Sequence, residues 1–156
     1  MNFEKFQMID RVVDLDTATR TIRCEAIVPA QSSIFATHFP TFPLMPGVLL
    51  IEAMAQTSGW LILALQKFER MPFLAALREV KLRTFIVPGT RMMFSAKLSH
   101  DGSGFAVTET KGEVEGKVVC DATIVFRVVE FPNAEFKKSM MGYSELIEFP
   151  IEKLNL

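Results

Sequence analysis

A histidine and a glutamate are the residues of this chain best suited to acid–base chemistry. The segment HFPTFPLMPGVLLIEAMAQ runs from His38 to Gln56, with His38 in a proline-rich loop and Glu52 inside an apolar run. Imidazole has an unperturbed pKa of about 6.5, which suits a general base near neutral pH. A carboxyl group buried among apolar side chains holds its proton to higher pH, which suits a general acid. The pair predicts an enzyme that removes one proton and delivers another.

Both residues could also have an ordinary structural role. The residues alone do not decide between the catalytic and the structural interpretation. A lone loop histidine is usually solvated or hydrogen-bonded, and His100, in the SHDGSG turn, is given no role. His38 differs because the three prolines that follow it restrict its loop, and a stiff loop can aim a side chain. Glu52 could be a structural residue bonded to Gln56, which lies four residues further along the same helical face.

The start of the helix that carries Glu52 offers a place for negative charge. Pro46 fits the first helical turn, where its missing N–H costs nothing. The N–H groups of Gly47, Val48 and Leu49 then lack intrahelical acceptors, and the helix dipole favours an anion beside them. An enolate-like oxygen forming on a thioester carbonyl would suit this position. A glycine needed only for close packing is the alternative.

Hydrophobic periodicity predicts the elements that position these residues. A helix from about Gly47 to Phe68 is apolar nearly all round, so it should be enclosed on all sides. One early strand with alternating apolar residues precedes it, and a turn of helix is expected over residues 33–36. About four consecutive antiparallel strands follow between residues 73 and 131, separated by VPG, HDGSG and EGK turns. A sheet that must bury such a helix curls around it, which predicts an α+β fold.

Three segments have a less regular hydrophobic pattern, so their boundaries are harder to predict. The entry from Phe6 reads as short helical or extended, with an acidic turn at residues 14–17. Residues 70–72 are expected to close the long helix. The tail after Phe131 has a mixed composition, with one short helix expected over residues 144–148.

Composition limits the class of protein. The 156 residues suit one domain with a real core, and a net charge of -1 gives no general attraction to nucleic acid or to an anionic membrane. Residues 48–65 approach the length of a membrane span, but Glu52 near the middle would cost roughly 2.5–3.5 kcal/mol, which favours a buried helix without membrane insertion. Cys24 and Cys120 read as free buried thiols in a reducing, cytoplasmic compartment, and no metal-ligand spacing occurs.

The segment HFPTFPLMPGVLLIEAMAQ closely resembles the active-site segment of the bacterial 3-hydroxyacyl-(acyl carrier protein) dehydratases of type II fatty acid synthesis. The resemblance covers roughly residues 6–131 and includes IDRVVDL, VPGTR and EGKVVCDA. It implies the hot dog fold, a long helix wrapped by a curled antiparallel sheet, as one domain over residues 1–131. Residues 132–156 are left as a C-terminal extension of unknown role.

The same resemblance implies an activity and an assembly. The expected reaction is dehydration of a (3R)-3-hydroxyacyl-carrier protein to the trans-2-enoyl thioester, for fatty acids or for lipid A acyl chains. The expected partners are acyl carrier protein and a second copy of the chain, in homodimers or trimers of dimers. No cofactor is expected beyond the phosphopantetheine thioester that the substrate carries. A thioesterase or a non-catalytic carrier-binding homologue are the alternatives.

Roles follow by matching the motif residue by residue. His38 matches the family's catalytic histidine, and Glu52 matches its catalytic acid, which acts from the opposite subunit. Gly47 matches the amide that polarises the thioester carbonyl, and Gln56 matches the glutamine beside the acid. The related dehydratase-isomerase branch usually has Asp at the acid position, so Glu52 indicates a plain dehydratase. The neighbouring positions expected to contact substrate are Phe39, Pro46 and Val48.

Two features need the structure for their interpretation. The family usually has Gly on either side of the His-Phe-Pro tripeptide, whereas this chain has Thr37 and Thr41. If the loop required positive φ there, a β-branched residue would be strained. Lys81, Arg83 and Arg91 flank the VPG turn and are expected to dock the acidic carrier protein, with an ordinary solvated strand face as the alternative.

Overall fold

The computed structural model describes residues 1–154, and these form six strands, two α-helices and two short 3-10 helices. In chain order the elements are β1 (Arg11–Asp16), β2 (Thr21–Ile27), a 3-10 helix (Ser33–Ala36), α1 (Gly47–Leu65), β3 (Arg70–Leu82), β4 (Arg91–Gly102), β5 (Phe105–Val114), β6 (Lys117–Glu130), α2 (Ala134–Leu146) and a second 3-10 helix (Ile151–Leu154).

One antiparallel sheet surrounds the long helix. The strand order is β1-β2-β4-β5-β6-β3, so β3, which directly follows α1, crosses to the far edge and pairs with β6. Helix α1 contacts every strand from β2 to β6, which requires the sheet to curl around it. The predicted α+β architecture, a long helix wrapped by a curled antiparallel sheet, is confirmed.

Helix α1 is the centre of the core. It is long and apolar enough to cross a membrane, but most of it is buried inside the molecule, as in a core helix. Its two fully buried hydroxyl side chains are satisfied: Thr57 donates to the Ala53 carbonyl over 2.9 Å, and Ser58 accepts from Thr108 of β5, also over 2.9 Å. The bond between Thr108 and Ser58 joins the helix to the sheet.

The prediction that α1 continues to Phe68 is wrong by three residues. The helix ends at Leu65, because Lys67 and Phe68 adopt positive φ angles of 49° and 54°. Residues 70–72, expected to close the helix, already belong to β3. Pro72 is tolerated in this strand because β3 lies at the edge of the sheet.

The first strand is longer than the sequence pattern indicates. Residues 14–16 were expected in a turn, but they lie in β1, and the turn occupies residues 17–20. A register shift between Val12 and Asp14 interrupts the pairing with β2. This bulge breaks the two-residue alternation of buried side chains that normally identifies a strand.

The C-terminal extension follows β6 without forming a separate core. Helix α2 covers Ala134–Leu146, so the short helix expected over residues 144–148 is wrong in position and length. Asn133 caps α2 by accepting the N–H of Phe136 over 2.7 Å. After the helix, Ile147 and Phe149 are buried in the same core as α1. Residues 155–156 of the predicted extension lie outside the described residues.

Candidate active site

The loop before α1 holds His38 from both sides. The His38 N–H donates to the Ile34 carbonyl over 2.9 Å, and its carbonyl accepts the N–H of Leu44 over 2.9 Å. Met45 then donates to the Ile86 carbonyl over 2.8 Å, which ties the loop to the segment before β4. The peptide between His38 and Phe39 is cis, and the two rings stack with centroids 4.3 Å apart. The loop therefore has one defined path.

The threonines on either side of the His-Phe-Pro tripeptide fit this path. Thr37 has a φ of -120°, and Thr41 is not among the residues with positive φ. Thr37 also donates its hydroxyl to the Ile34 carbonyl over 3.2 Å. The loop needs no glycine at either position, so the strain considered from the sequence does not arise.

A backbone carbonyl selects the tautomer of the His38 ring. Nδ1 of His38 lies 3.0 Å from the carbonyl oxygen of Leu44, and a carbonyl oxygen can only accept. Nδ1 therefore carries the proton in the neutral ring, and Nε2 keeps its lone pair free. A general base needs this arrangement, because the free nitrogen must take the substrate proton.

Glu52 lies half-buried in the second turn of α1. Burial raises the pKa of its carboxyl above the ordinary value, although a hydrogen bond from Gln56 acts in the opposite direction. The protonated acid therefore persists to higher pH than it would in water. This is the state that a proton donor requires.

Gln56 fixes the orientation of Glu52. Its side-chain N–H₂ group donates to Oε1 of Glu52 over 3.0 Å and to the Phe6 carbonyl over 2.8 Å. Its side-chain oxygen accepts the N–H of Met8 over 3.0 Å. Because Oε1 accepts this bond, Oε2 is the oxygen left to hold a proton for transfer. The structural contact considered from the sequence exists, and it also positions the acid.

The N-terminus of α1 presents two of the three N–H groups expected there. Leu49 donates to the Pro46 carbonyl over 2.9 Å, so the expectation that its N–H lacks an acceptor is wrong. The N–H groups of Gly47 and Val48 have no acceptor within residues 1–154, and the first turn contains no acidic side chain. Together with the helix dipole, these two donors can stabilise a negative oxygen.

Close packing gives only a weak reason for glycine at position 47. A Cβ added to Gly47 would lie 2.5 Å from Cδ1 of Leu82. Leu82 is 45% exposed, so its flexible end has room to move away. Close packing alone therefore does not strictly require glycine at this position.

Within one chain, the predicted site residues fall into two groups. Glu52 and Gln56 line an apolar cavity of about 400 Å³. His38 and Phe39 lie on the loop outside it, and no hydrogen bond joins His38 to Glu52 in the described residues. Val48 is 70% exposed, so the helix start also faces outward.

Two of the three cations expected to dock a carrier protein are paired with carboxylates. Arg83 forms an ion pair with Asp121, which also lies opposite Lys81 in the register of β3 with β6. Arg91 donates from Nε to Glu25 over 2.8 Å. These acids offset part of the positive charge around the VPG turn. Groups of three or more His, Cys, Asp or Glu side chains placed to hold a metal do not occur in residues 1–154.

Sequence comparison places this chain among acyl dehydratases. The FabA-like domain matches residues 2–123. A 3-hydroxyacyl-(acyl carrier protein) dehydratase FabZ from Streptococcus suis is 37% identical over 124 residues, covering 78% of this chain and 86% of the relative. The FabZ of Listeria monocytogenes is 30% identical over 131 residues, covering 81% and 88% of the two chains.

Solved structures with the same fold are more distant in sequence. A thioesterase variant from Staphylococcus aureus superposes with a TM-score of 0.63 at 12% identity, covering 81% of this chain and 97% of that one. A hypothetical thioesterase from Streptococcus pneumoniae, solved with coenzyme A, gives a TM-score of 0.62 at 14% identity, covering 79% and 88%. At these identities the similarity establishes the hot dog fold alone.

The raised pKa of Glu52 predicts how stability depends on pH. The unfolded chain loses this proton at the ordinary value of 4.5, whereas the folded protein holds it to higher pH. The folded state therefore loses stability as pH rises from that value through the folded pKa. Glu52→Gln removes this loss, so its Tm should exceed that of the wild type at about pH 8, with a smaller excess at about pH 4.

Thermal unfolding followed by circular dichroism at both pH values measures this difference. Glu109→Gln, on an exposed position of β5, is the matched control and should show little change of the difference with pH. A Glu52→Gln excess that stays constant with pH would contradict the assignment of the stability loss to burial of the charge.

Proposed function

The chain belongs to the FabA-like family, and we propose that it dehydrates (3R)-3-hydroxyacyl thioesters of an acyl carrier protein to trans-2-enoyl thioesters in fatty acid biosynthesis. Glu52 is the observation on which this proposal mainly rests. Its carboxyl is half-buried, has a raised pKa, and is oriented by Gln56 at the wall of an apolar cavity. The two FabZ relatives carry this activity in their names.

The proposed reaction is an elimination driven by one base and one acid. Nε2 of His38 takes the proton from C2 of the substrate, and the electron pair of that bond forms the C2–C3 double bond. The C3–O bond breaks as Oε2 of Glu52 delivers its proton to the leaving hydroxyl, so the products are the enoyl thioester and water. The N–H of Gly47 stabilises the charge that develops on the thioester oxygen.

Substrate contacts follow from the position of this N–H group. Pro46 and Val48 lie at the start of α1 and Phe39 lies on the loop before it, and these residues would contact the thioester and its phosphopantetheine arm. The proposed reaction moves only protons and one electron pair within the substrate. It therefore needs no cofactor beyond the phosphopantetheine that is part of the substrate.

We further propose a homodimer in which each site combines His38 of one chain with Glu52 of the other. Strand β3 is an edge strand of 13 residues, and residues 73–79 are exposed without interruption on both of its faces. A long exposed edge with apolar side chains is an unstable surface unless another strand covers it. A second copy of β3 would extend the sheet across a twofold axis.

The apolar surface near the predicted site supports the same arrangement. Large exposed side chains occur on β3, on the loop after it and on the His38 loop, and include Phe73, Leu74, Leu82, Phe85 and Phe42. So many large exposed apolar side chains in these segments support an interaction surface there. A partner subunit seated there would bring its own loop and helix to this surface. Three such dimers can then assemble into a hexamer.

We assign the protein to the cytoplasm. Cys24 and Cys120 are both free and buried, and burial raises their thiol pKa values to about 12 and about 11. Such thiols are unreactive and behave as apolar core groups. Free buried cysteines fit a reducing compartment such as the cytoplasm.

Substitution of the two proposed catalytic groups should abolish dehydration while the fold remains. His38→Ala removes the base and Glu52→Gln removes the transferable proton, and each loss is worth roughly 10²–10⁴-fold. Turnover of 3-hydroxyacyl thioesters and circular dichroism are measured for each variant. His100→Ala, at an exposed position of β4, is the control and should retain activity. Near-wild-type turnover in either variant would refute its catalytic assignment.

The same preparation separates the activities considered from the sequence. With a crotonyl thioester, a dehydratase adds water to the double bond in the reverse reaction, whereas a thioesterase releases a free thiol. A binding homologue does neither. Hydration that depends on both His38 and Glu52 is the expected result.

Mixed dimers should recover activity if each site is shared between subunits. A dimer containing one His38→Ala chain and one Glu52→Gln chain retains one site with both groups intact. Subunit exchange is confirmed by mass labels, and turnover is then compared with each parent variant. We expect partial recovery, approaching half the wild-type activity per mixed dimer. If exchange is complete and no activity returns, each site must be built within one chain.

Charge changes near the VPG turn test carrier-protein docking. Lys81→Glu, Arg83→Glu and Arg91→Glu should each raise KM for carrier-protein thioesters, because the carrier is acidic. Asp121→Asn should lower it, since this acid offsets Arg83. N-acetylcysteamine thioesters should show neither change. Lys97→Glu, about 20 Å along β4 from Arg91, is the control. Equal effects on both substrate types would contradict docking and indicate damage to the pocket.

A further inference from the structure

The apolar cavity beside Glu52 extends well beyond the acid. Its polar part is formed by Glu52, Gln56, Lys5 and Gln7, and most of the remainder is lined by large apolar side chains from several elements. These include Trp60, Leu63, Phe126, Met140, Tyr143 and Ile147. A volume of about 400 Å³ lies within the usual range for small-molecule sites, roughly 300–1,000 Å³. A cavity with a polar end and a long apolar part suits a ligand that has a polar head and an apolar chain.

The direction of the cavity follows one face of α1. Glu52, Gln56, Gly59 and Leu63 all line it, at spacings of four, three and four residues. Residues at these spacings share a helix face. From Glu52 to Leu63 the helix rises roughly 16 Å. A linear alkyl chain whose reactive end lies at Glu52 would therefore run along this face toward Leu63.

Helix α2 supplies the outer wall of the cavity. Met140, Tyr143 and Leu146 line it at spacings of three residues, so they form one stripe along α2, and Ile147 lines it directly after the helix. The only buried residue within the helix itself is Ser144. Met140 and Met141 are partly buried and pack against the core, and the apolar stripe that includes Met140 lines the cavity.

Contacts at both ends keep α2 over the cavity. Before the first turn, Phe131 packs against Phe136 with ring centroids 6.0 Å apart. After the last turn, the Ile147 carbonyl accepts the N–H of Val12 over 2.8 Å, and Phe149 packs 5.5 Å from Trp60. The wall is thus anchored to the body of the molecule on either side of the stripe.

This wall comes from the part of the chain that the family domain does not include. The FabA-like match ends at residue 123, whereas α2 begins at Ala134. We infer that α2 closes the acyl-chain compartment and that Met140 and Tyr143 set the acyl length this protein accepts. The inference rests on the proposed function, because the reaction at Glu52 fixes where the thioester end lies.

Filling the cavity from α2 should shorten the accepted chain. Met140→Trp should lower kcat/KM for 3-hydroxydecanoyl thioesters about tenfold or more, and leave 3-hydroxybutyryl thioesters within about twofold. Tyr143→Ala should shift the preference toward longer chains, because it enlarges the same space. Lys138→Trp, on an exposed position of α2, is the control for Met140→Trp and should leave the chain-length profile unchanged.

Point substitutions are preferable to truncation in this test. Removing the extension would also remove Ile147 and Phe149, which are 3% and 6% exposed in the core. The resulting loss of stability would obscure any effect on the cavity. Circular dichroism and thermal unfolding of each point variant verify that the fold persists.

A binding measurement tests the inference without catalysis. Trp60 is the only tryptophan of the chain and lines the cavity, so its fluorescence reports occupancy. Saturated acyl thioesters of N-acetylcysteamine lack the 3-hydroxyl group and cannot react. Affinity should increase from butyryl to decanoyl, and Tyr143→Ala should change the affinity for decanoyl but not for butyryl.

Failure of the inference about α2 and failure of the proposed function would give different results. Turnover with the same chain-length profile in the wild type, Met140→Trp and Tyr143→Ala, or a Trp60 signal that does not respond to decanoyl thioesters, would overturn the role of α2. Absence of turnover with every chain length would overturn the proposed function. In that case the chain-length dependence of the Trp60 signal still decides whether α2 bounds an acyl compartment.

Discussion

Helix α1 is apolar on nearly every side, and a flat sheet could cover only one of them. The sheet therefore curls, and the crossover that sends β3 to the far edge lets five strands contact the same helix. This enclosure creates a dry interior along α1, into which the chain places one carboxyl group. The chemistry proposed for Glu52 depends on this enclosure, because the same side chain in water would give up its proton at a lower pH.

A carboxyl group buried in this interior needs a hydrogen-bond partner that does not cause it to lose its proton. Gln56 provides this by donating to one oxygen of Glu52 while the backbone of residues 6–8 holds the amide at both ends. A cation at the same position would keep Glu52 ionised. A neutral amide orients the group and leaves its proton available. The loop carbonyl of Leu44 acts similarly on His38, since it fixes the tautomer without adding charge.

The sequence predicts those parts of the molecule that have a strong local pattern. Helix α1 begins at Gly47 as predicted from Pro46, and the strands after it follow their alternating side chains and turn residues. The pattern leaves the segment of β1 open between helical and extended and places its end in a turn, because a bulge breaks the alternation of its side chains. The position of helix α2 is predicted wrongly because only Ser144 is fully buried in it and its apolar side chains are at most partly buried, so its hydrophobic pattern is weak. The role of its apolar residues can be recognised only from the cavity that they line together with other elements.

The sequence indicates the candidate acid and base more readily than the hydrogen bonds that hold them in place. The proline-rich loop and the lone carboxyl indicated His38 and Glu52, and spacing indicated Gln56. The bonds that hold Gln56 come from the main chain near Phe6 and Met8, which no side-chain pattern reveals. This has an evolutionary consequence. Phe6 holds the amide through its carbonyl, but its side chain also lines the cavity and its φ is 54°, so substitutions at this position in homologues must tolerate a left-handed backbone if the acid is to keep its orientation.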